Sequence, residues 1–219
     1  MAEAHHIQVN KTARYYTLGD LENATEVWFV LHGYGQNVHR FTSKFTALIK
    51  PGVAVIAPEG LHRFYYEGFT GEVGASWMTK DDRLKDIEDY VAYLNVLKER
   101  ICHTRQTIHV LGFSQGAATA CRWVSHGLSD AKNLILWAGL IPPDINIDEG
   151  LKHLKSVRLI IARSASDEFR TSNMWLEQQE LVTRNGLEYD DFEYEGGHKM
   201  VDTALMRLIE TYINPLLSD

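Results

Sequence analysis

Residues 107–116 read Thr107-Ile-His-Val-Leu111 followed by Gly112-Phe113-Ser114-Gln115-Gly116, and a run of small residues, Ala117 to Val124, comes next. The mainly apolar run is too short for a helix, which suits a parallel strand buried on both faces. The small-residue run reads as a helix. A G-x-S-x-G pentapeptide between a strand and a helix sets its serine on a tight, strained turn, where only glycine neighbours let the backbone pass. The Ser114 hydroxyl is thereby expected at the mouth of a sheet, as a nucleophile.

Working outward, Glu26–Leu31, Val53–Ala57, Leu134–Trp137 and Val157–Ile161 repeat the strand pattern, so that five buried strands are expected with Ile108–Leu111. Two shorter strands are expected before them, at Ile7–Val9 and Ala13–Leu18, as a hairpin around Asn10-Lys11. Helical periodicity is clearest over Arg83–Ile101, where Ile87, Tyr90, Val91, Leu94, Leu97 and Ile101 recur every three or four residues. Further helices are expected around Phe41–Ile49, from Trp175 to Val182 with Asn185-Gly186 as C-cap, and over Met200–Ile213 before Pro215. Alternating strands and helices give an α/β fold with a mostly parallel sheet, helices on both faces and an antiparallel start. Glu59–Asp82 lacks periodicity and is rich in aromatics, so it is expected as a functional loop.

The chain has 219 residues, which predicts one domain over 1–219. Its 29 acidic against 22 basic residues give a formal charge of −7, the wrong sign for tracking nucleic acid or an anionic membrane surface. No apolar stretch is long enough for a membrane span, and the first residues lack a secretory pattern, so a cytoplasmic protein without stable membrane association is expected. Cys102 and Cys121 fit neither a disulfide framework nor zinc spacing. Oligomeric state is left open, a homodimer included.

A serine nucleophile needs a base and an acid to orient it, and in elbow-bearing folds these follow in the order Ser, acid, His. Asp167 lies just beyond Val157–Ile161, and His198 follows Leu187–Tyr194 through Glu195-Gly196-Gly197, so both are taken as catalytic. Rival acids are Glu168, Asp144 and Asp148; Asp190 and Asp191 read as solvent-facing in a strand. The oxyanion is expected to be held by the amides of Gln115 and of Tyr34 in His32-Gly33-Tyr34-Gly35-Gln36. His32 is expected to pack beneath that loop. Trp77, Phe64, Tyr65, Tyr66 and Phe69 are candidates for the substrate pocket. Gly33-Tyr-Gly35-Gln-Asn-Val38 half-matches a dinucleotide fingerprint but has Val38 where the third glycine belongs. No metal or organic cofactor is called for.

Four blocks, Leu31-His-Gly-Tyr-Gly35, Ala57-Pro58, Gly112-Phe-Ser-Gln-Gly116 and Gly197-His198, resemble the small carboxylesterase/phospholipase family of α/β hydrolases, which includes acyl-protein thioesterases and lysophospholipases. Ala75-Ser-Trp-Met78 is similar to that family's active-site loop. The resemblance implies an α/β-hydrolase fold and hydrolysis of small ester or thioester substrates through an acyl-enzyme. The chain departs from the family around Ala165-Ser-Asp167 and at Tyr34, where a smaller apolar residue is common; a narrower mouth and short to medium acyl chains are expected. The contrasting reading is a ligand-binding protein that kept the fold and lost catalysis.

Overall fold

The computed structural model describes residues 1–126, 128, 130–145 and 150–213; Asp148 and Pro215 lie outside them. In chain order the elements are β1 (Tyr15–Leu18), β2 (Glu26–Leu31), α1 (Val38–Ser43), β3 (Val53–Pro58), β4 (His62–Tyr65), β5 (Val73–Ser76) and α2 (Arg83–Ile101). They continue as β6 (Thr107–Phe113), α3 (Gln115–His126), β7 (Ala131–Trp137), α4 (Gly150–Ser156), β8 (Arg158–Arg163), α5 (Ser172–Asn185), β9 (Asp190–Glu193) and α6 (Asp202–Leu208).

Seven strands form one sheet in the order β1-β3-β2-β6-β7-β8-β9. Only β1 runs antiparallel to its neighbour, pairing with β3; the other pairs are parallel. The central strands read as unbroken apolar runs because both faces are covered. On one face Val27, Phe29 and Leu31 of β2 pack with Tyr90 and Leu94 of α2, Trp123 of α3, Leu154 of α4 and Val182 of α5. On the other, Trp28 and Val30 join Phe41 of α1 and Leu205 and Leu208 of α6. Truncating a fully buried side chain such as Trp123 to alanine would cost about 3–5 kcal/mol.

Capping explains where α5 starts and stops. Thr171 Oγ1 accepts from the Met174 amide at 3.3 Å, and Gly186, at φ +57°, closes the helix in the left-handed region. Helix α2 covers the range its periodicity predicts and turns Tyr90, Leu94 and Leu97 inward.

The structure departs from expectation at several points. Ile7 and Val9 form no strand, and no hairpin surrounds Asn10-Lys11: both apolar side chains are exposed, with nothing to bury them. The segment expected as a loop carries the antiparallel hairpin β4–β5, registered from His62 opposite Ser76 to Tyr65 opposite Val73. Its two strands are only four residues long, too short for periodicity to reveal. Helix α4 was not anticipated, and the last helix starts later than expected and ends in a π turn, Ile209–Ile213. Among the described residues no helix is long and apolar enough to cross a membrane.

Candidate active site

Strands β2, β6, β8 and β9 end at the same edge of the sheet, and the loops that follow them carry the candidate residues. Register does the first part of the assembly: Leu31 of β2 lies opposite Gly112 of β6, so the loop after β2 emerges beside Ser114. A Cβ added to Gly33 would stand 3.2 Å from Ser114 Cβ.

Ser114 sits at φ +55°, a left-handed conformation that non-glycine residues seldom adopt. Its amide donates to the Trp137 carbonyl at 2.9 Å, anchoring the turn to β7. The flanking glycines are required by contact: a side chain on Gly112 would collide with the Gly116 carbonyl, and one on Gly116 with the Leu31 carbonyl.

The Ser114 hydroxyl is 2.8 Å from His198 Nε2. His198 Nδ1 is 3.0 and 2.9 Å from the two Asp167 oxygens. A carboxylate can only accept, so Nδ1 carries the proton and Nε2 is left free to accept from the serine. Asp167 is buried and also accepts from the Phe169 amide at 2.9 Å. Its rivals among the described residues have partners other than the imidazole. Glu168 accepts from the His198 backbone amide at 3.3 Å. Asp144 pairs with Arg122 and Arg83, and Asp190 and Asp191 with Arg158 and Arg163.

The His198 loop is pinned from both sides. Ser164 Oγ accepts from the Gly197 amide at 3.1 Å, the Tyr194 hydroxyl donates to the Gly197 carbonyl at 3.1 Å, and Trp137 Nε1 donates to the Lys199 carbonyl at 3.0 Å. Phe113 and Phe169 flank the imidazole, with ring centroids 5.3 and 4.7 Å away.

The loop after β2 shows how an amide can be aimed. The Gly33 carbonyl accepts from His32 Nδ1 at 2.8 Å and from the Gln36 amide at 3.2 Å. In a trans peptide the following N–H points the opposite way, so the Tyr34 amide is turned away from those donors. Neither the Tyr34 nor the Gln115 amide donates to another backbone or side-chain group among the described residues. His32 Nε2 accepts from the Gly60 amide at 2.9 Å, which fixes the neutral tautomer. Burial pushes the His32 pKa down to about 4.

Hairpin β4–β5 braces this loop. The Gly35 amide donates to the Ala75 carbonyl at 2.8 Å, the Ala75 amide to the Gln36 carbonyl at 3.2 Å, and the Tyr66 hydroxyl to the Gly35 carbonyl. Gly74 lies so close to the Gly35 carbonyl that no side chain could stand there.

The five pocket candidates separate. Trp77 is fully buried: it stacks on His32 at 5.0 Å, and its Nε1 donates to the His32 carbonyl at 2.9 Å. It is a core residue under the loop and presents no surface to a ligand, which corrects the expectation of a pocket wall. Phe64 packs at a tilt on Tyr34, ring centroids 5.5 Å apart, and edge-on to Tyr66 at 5.7 Å. Tyr65 is exposed, and Phe69 stands 94% exposed and free of any wall. An open cavity of about 840 Å³ lies by the loop after β8 instead, lined by Ser164, Ser166, Glu193, Glu195 and Arg207, with none of Ser114, Asp167 or His198 in its lining.

Side-chain bracing escaped the sequence reading. Gln115 Oε1 accepts from the Trp77 amide at 3.1 Å and its Nε2 donates to the Met78 carbonyl at 2.9 Å, tying the Ser114 turn to the end of β5. Gln36 Oε1 accepts from the Gly33 amide at 2.7 Å. A polar residue inside a glycine-rich loop was the available signal.

A family model described as Serine hydrolase (FSH1) matches residues 24–199. No curated protein matches the chain. Among solved structures it is similar to acyl-protein thioesterase 2 from Zea mays, with TM-score 0.71 and 17% identity over 91% of this chain and 97% of that one. It is also similar to a carboxylesterase from Mesorhizobium loti, with TM-score 0.69 and 19% identity over 91% and 95% of the two chains. A carboxylesterase from Bacillus cereus gives TM-score 0.68 and 14% identity over 94% and 95%. At such identities the likeness is one of fold, that of the α/β hydrolases.

Proposed function

Because the chain belongs to the FSH1 serine hydrolase family, we propose that it cleaves carboxylic esters or thioesters through an acyl-enzyme on Ser114. The observation that carries this reading is the unbroken line from Ser114 Oγ to His198 Nε2 at 2.8 Å and from His198 Nδ1 to Asp167 at 2.9 Å.

Ser114 Oγ attacks the substrate carbonyl carbon as its proton passes to His198 Nε2. Asp167 holds the imidazole and stabilises the imidazolium that forms. The negative charge gathers on the former carbonyl oxygen, where the Tyr34 and Gln115 amides donate. Collapse expels the alcohol or thiol, which takes the proton from His198. Water, deprotonated by the same nitrogen, then attacks the acyl-enzyme and releases the carboxylic acid and Ser114.

Tyr34, next to Gly33 beside Ser114, packs on Phe64 with ring centroids 5.5 Å apart; we read this pair as narrowing the mouth, which favours short to medium acyl chains. Acyl-protein thioesterase or lysophospholipase activity is the alternative within the same chemistry, supported by the fold it shares with the maize enzyme. The protein would act as one domain, in the cytoplasm, on a small ester without nucleic acid or a membrane as partner.

The test is labelling by a fluorophosphonate together with turnover of p-nitrophenyl esters of increasing acyl length. Labelling at Ser114, and an optimum among the shorter esters, are expected. An unlabelled Ser114 in a folded protein would leave the ligand-binding reading instead.

A further inference from the structure

We propose that Arg170 reads a carboxylate on the leaving-group side of the substrate, so that the preferred substrate is an ester or thioester of an acidic alcohol or thiol. This rests on the hydrolase reading of Ser114 and adds to it.

Two arginines lie against one indole. Arg163 Cζ and Arg170 Cζ are each 5.1 Å from the Trp175 ring centroid. Arg163 is neutralised: its Nε and Nη2 bind the two Asp191 oxygens at 2.6 and 2.7 Å, and Nη1 meets Glu193 at 2.7 Å. Arg170 makes no such bond among the described residues. Its Nη1 is buried without an acceptor, whereas Nε and Nη2 are not sealed off. Glu168, its nearest acid in sequence, is directed to the His198 amide at 3.3 Å.

The cation–π contact with Trp175 restrains the guanidinium and lowers the entropy lost on binding, while the open nitrogens keep a planar fork that fits a carboxylate. In a chain of formal charge −7, a half-buried arginine with no ion pair among the described residues stands out.

Its place in the fold decides which part of the substrate it meets. The Arg170 amide donates to the Asp167 carbonyl at 3.2 Å, so the residue closes the turn that carries the acid. The preceding Phe169 packs on the His198 ring at 4.7 Å. His198 must hand a proton to the departing oxygen or sulfur, so the leaving group lies over His198 beside Phe169, and Arg170 is the next residue of the same turn.

The experiment compares two matched pairs of esters. 3-Acetoxypropanoate places a carboxylate on the leaving alcohol and 3-acetoxypropanamide is its neutral counterpart; monomethyl succinate and monomethyl succinamate place the same groups on the acyl side. The wild-type enzyme is expected to favour 3-acetoxypropanoate over its amide by tenfold or more in kcat/KM, mostly through KM. R170Q should bring the two together and R170K should keep part of the preference. A preference confined to the acyl-side pair, or one that survives R170Q, overturns the proposal.

A second arm is independent of turnover. Calorimetry of S114A with 3-hydroxypropanoate should detect binding that is lost in S114A/R170Q of equal thermal midpoint, and equal binding by both, or binding by neither, refutes it. Loss of Ser114 labelling would instead count against the hydrolase reading.

Discussion

His32 Nδ1 donates to the Gly33 carbonyl oxygen at 2.8 Å, and through that bond a buried imidazole orients the Tyr34 amide. The same ring accepts from the Gly60 amide at 2.9 Å and stacks on Trp77 at 5.0 Å, so β2, β3 and β5 all converge on it.

His32→Phe keeps the aromatic volume and removes both hydrogen bonds. The Gly33–Tyr34 peptide is then free to turn, and the proposed oxyanion donor is lost in part of the population. We expect kcat to fall by about 10- to 100-fold with KM little changed, since oxyanion donors act in the transition state. Steady-state kinetics on a short p-nitrophenyl ester check this.

Buried histidines set an acid limit to stability. Burial pushes His32 down to about 4, and burial aided by Lys132 pushes His109 down to about 3. The unfolded chain binds these protons near the ordinary value of about 6.5, so stability is complete above that pH and drains away as the pH falls toward 4 and below. His32 alone accounts for roughly 3 kcal/mol by pH 4. Denaturant midpoints should fall steadily between pH 6.5 and 4.5, and less steeply in His32→Phe.

Asp167→Asn should lower kcat by about 10³- to 10⁴-fold, because the amide can donate to Nδ1 and favour the wrong tautomer. Glu168→Gln, at a carboxylate that bonds the His198 backbone amide, should lower it less than about tenfold. Comparable losses would point to Glu168 as the acid.

Ser114→Ala and Ser114→Gly should both abolish turnover. The glycine variant relieves the φ of +55°, a strain of about 1–3 kcal/mol, against about 1 kcal/mol of added chain entropy. Its thermal midpoint should therefore equal or exceed that of the alanine variant.

Gln115→Ala keeps the backbone amide and cuts the side-chain bonds to Trp77 and Met78. A loss of about 1–3 kcal/mol in stability is expected, with kcat reduced only as far as the end of β5 shifts. Urea unfolding measured beside ester turnover separates the two effects.

Much of the fold was legible because its signals are local. Buried parallel strands are unbroken apolar runs, and α2 repeats its apolar residues over nineteen positions. The hairpin β4–β5 is hidden from periodicity because its strands are four residues each, and Ile7–Val9 forms no strand because a β-prone run does so only where a partner exists. Trp77 could not be told from a pocket residue in sequence, since an aromatic near a loop suits both roles until packing decides.

By itself the sequence determined the strand–turn–helix at Ser114 and the order in which Asp167 and His198 follow it, because glycine sterics and apolar periodicity act over a few residues. Only the tertiary structure decided the distances among them, the burial of Trp77, and the bracing by His32, Gln36 and Gln115. Those bonds join residues as far apart in the chain as Ser114 and His198, and long-range hydrogen bonds and packing are fixed by strand register and sheet order, which no local pattern encodes.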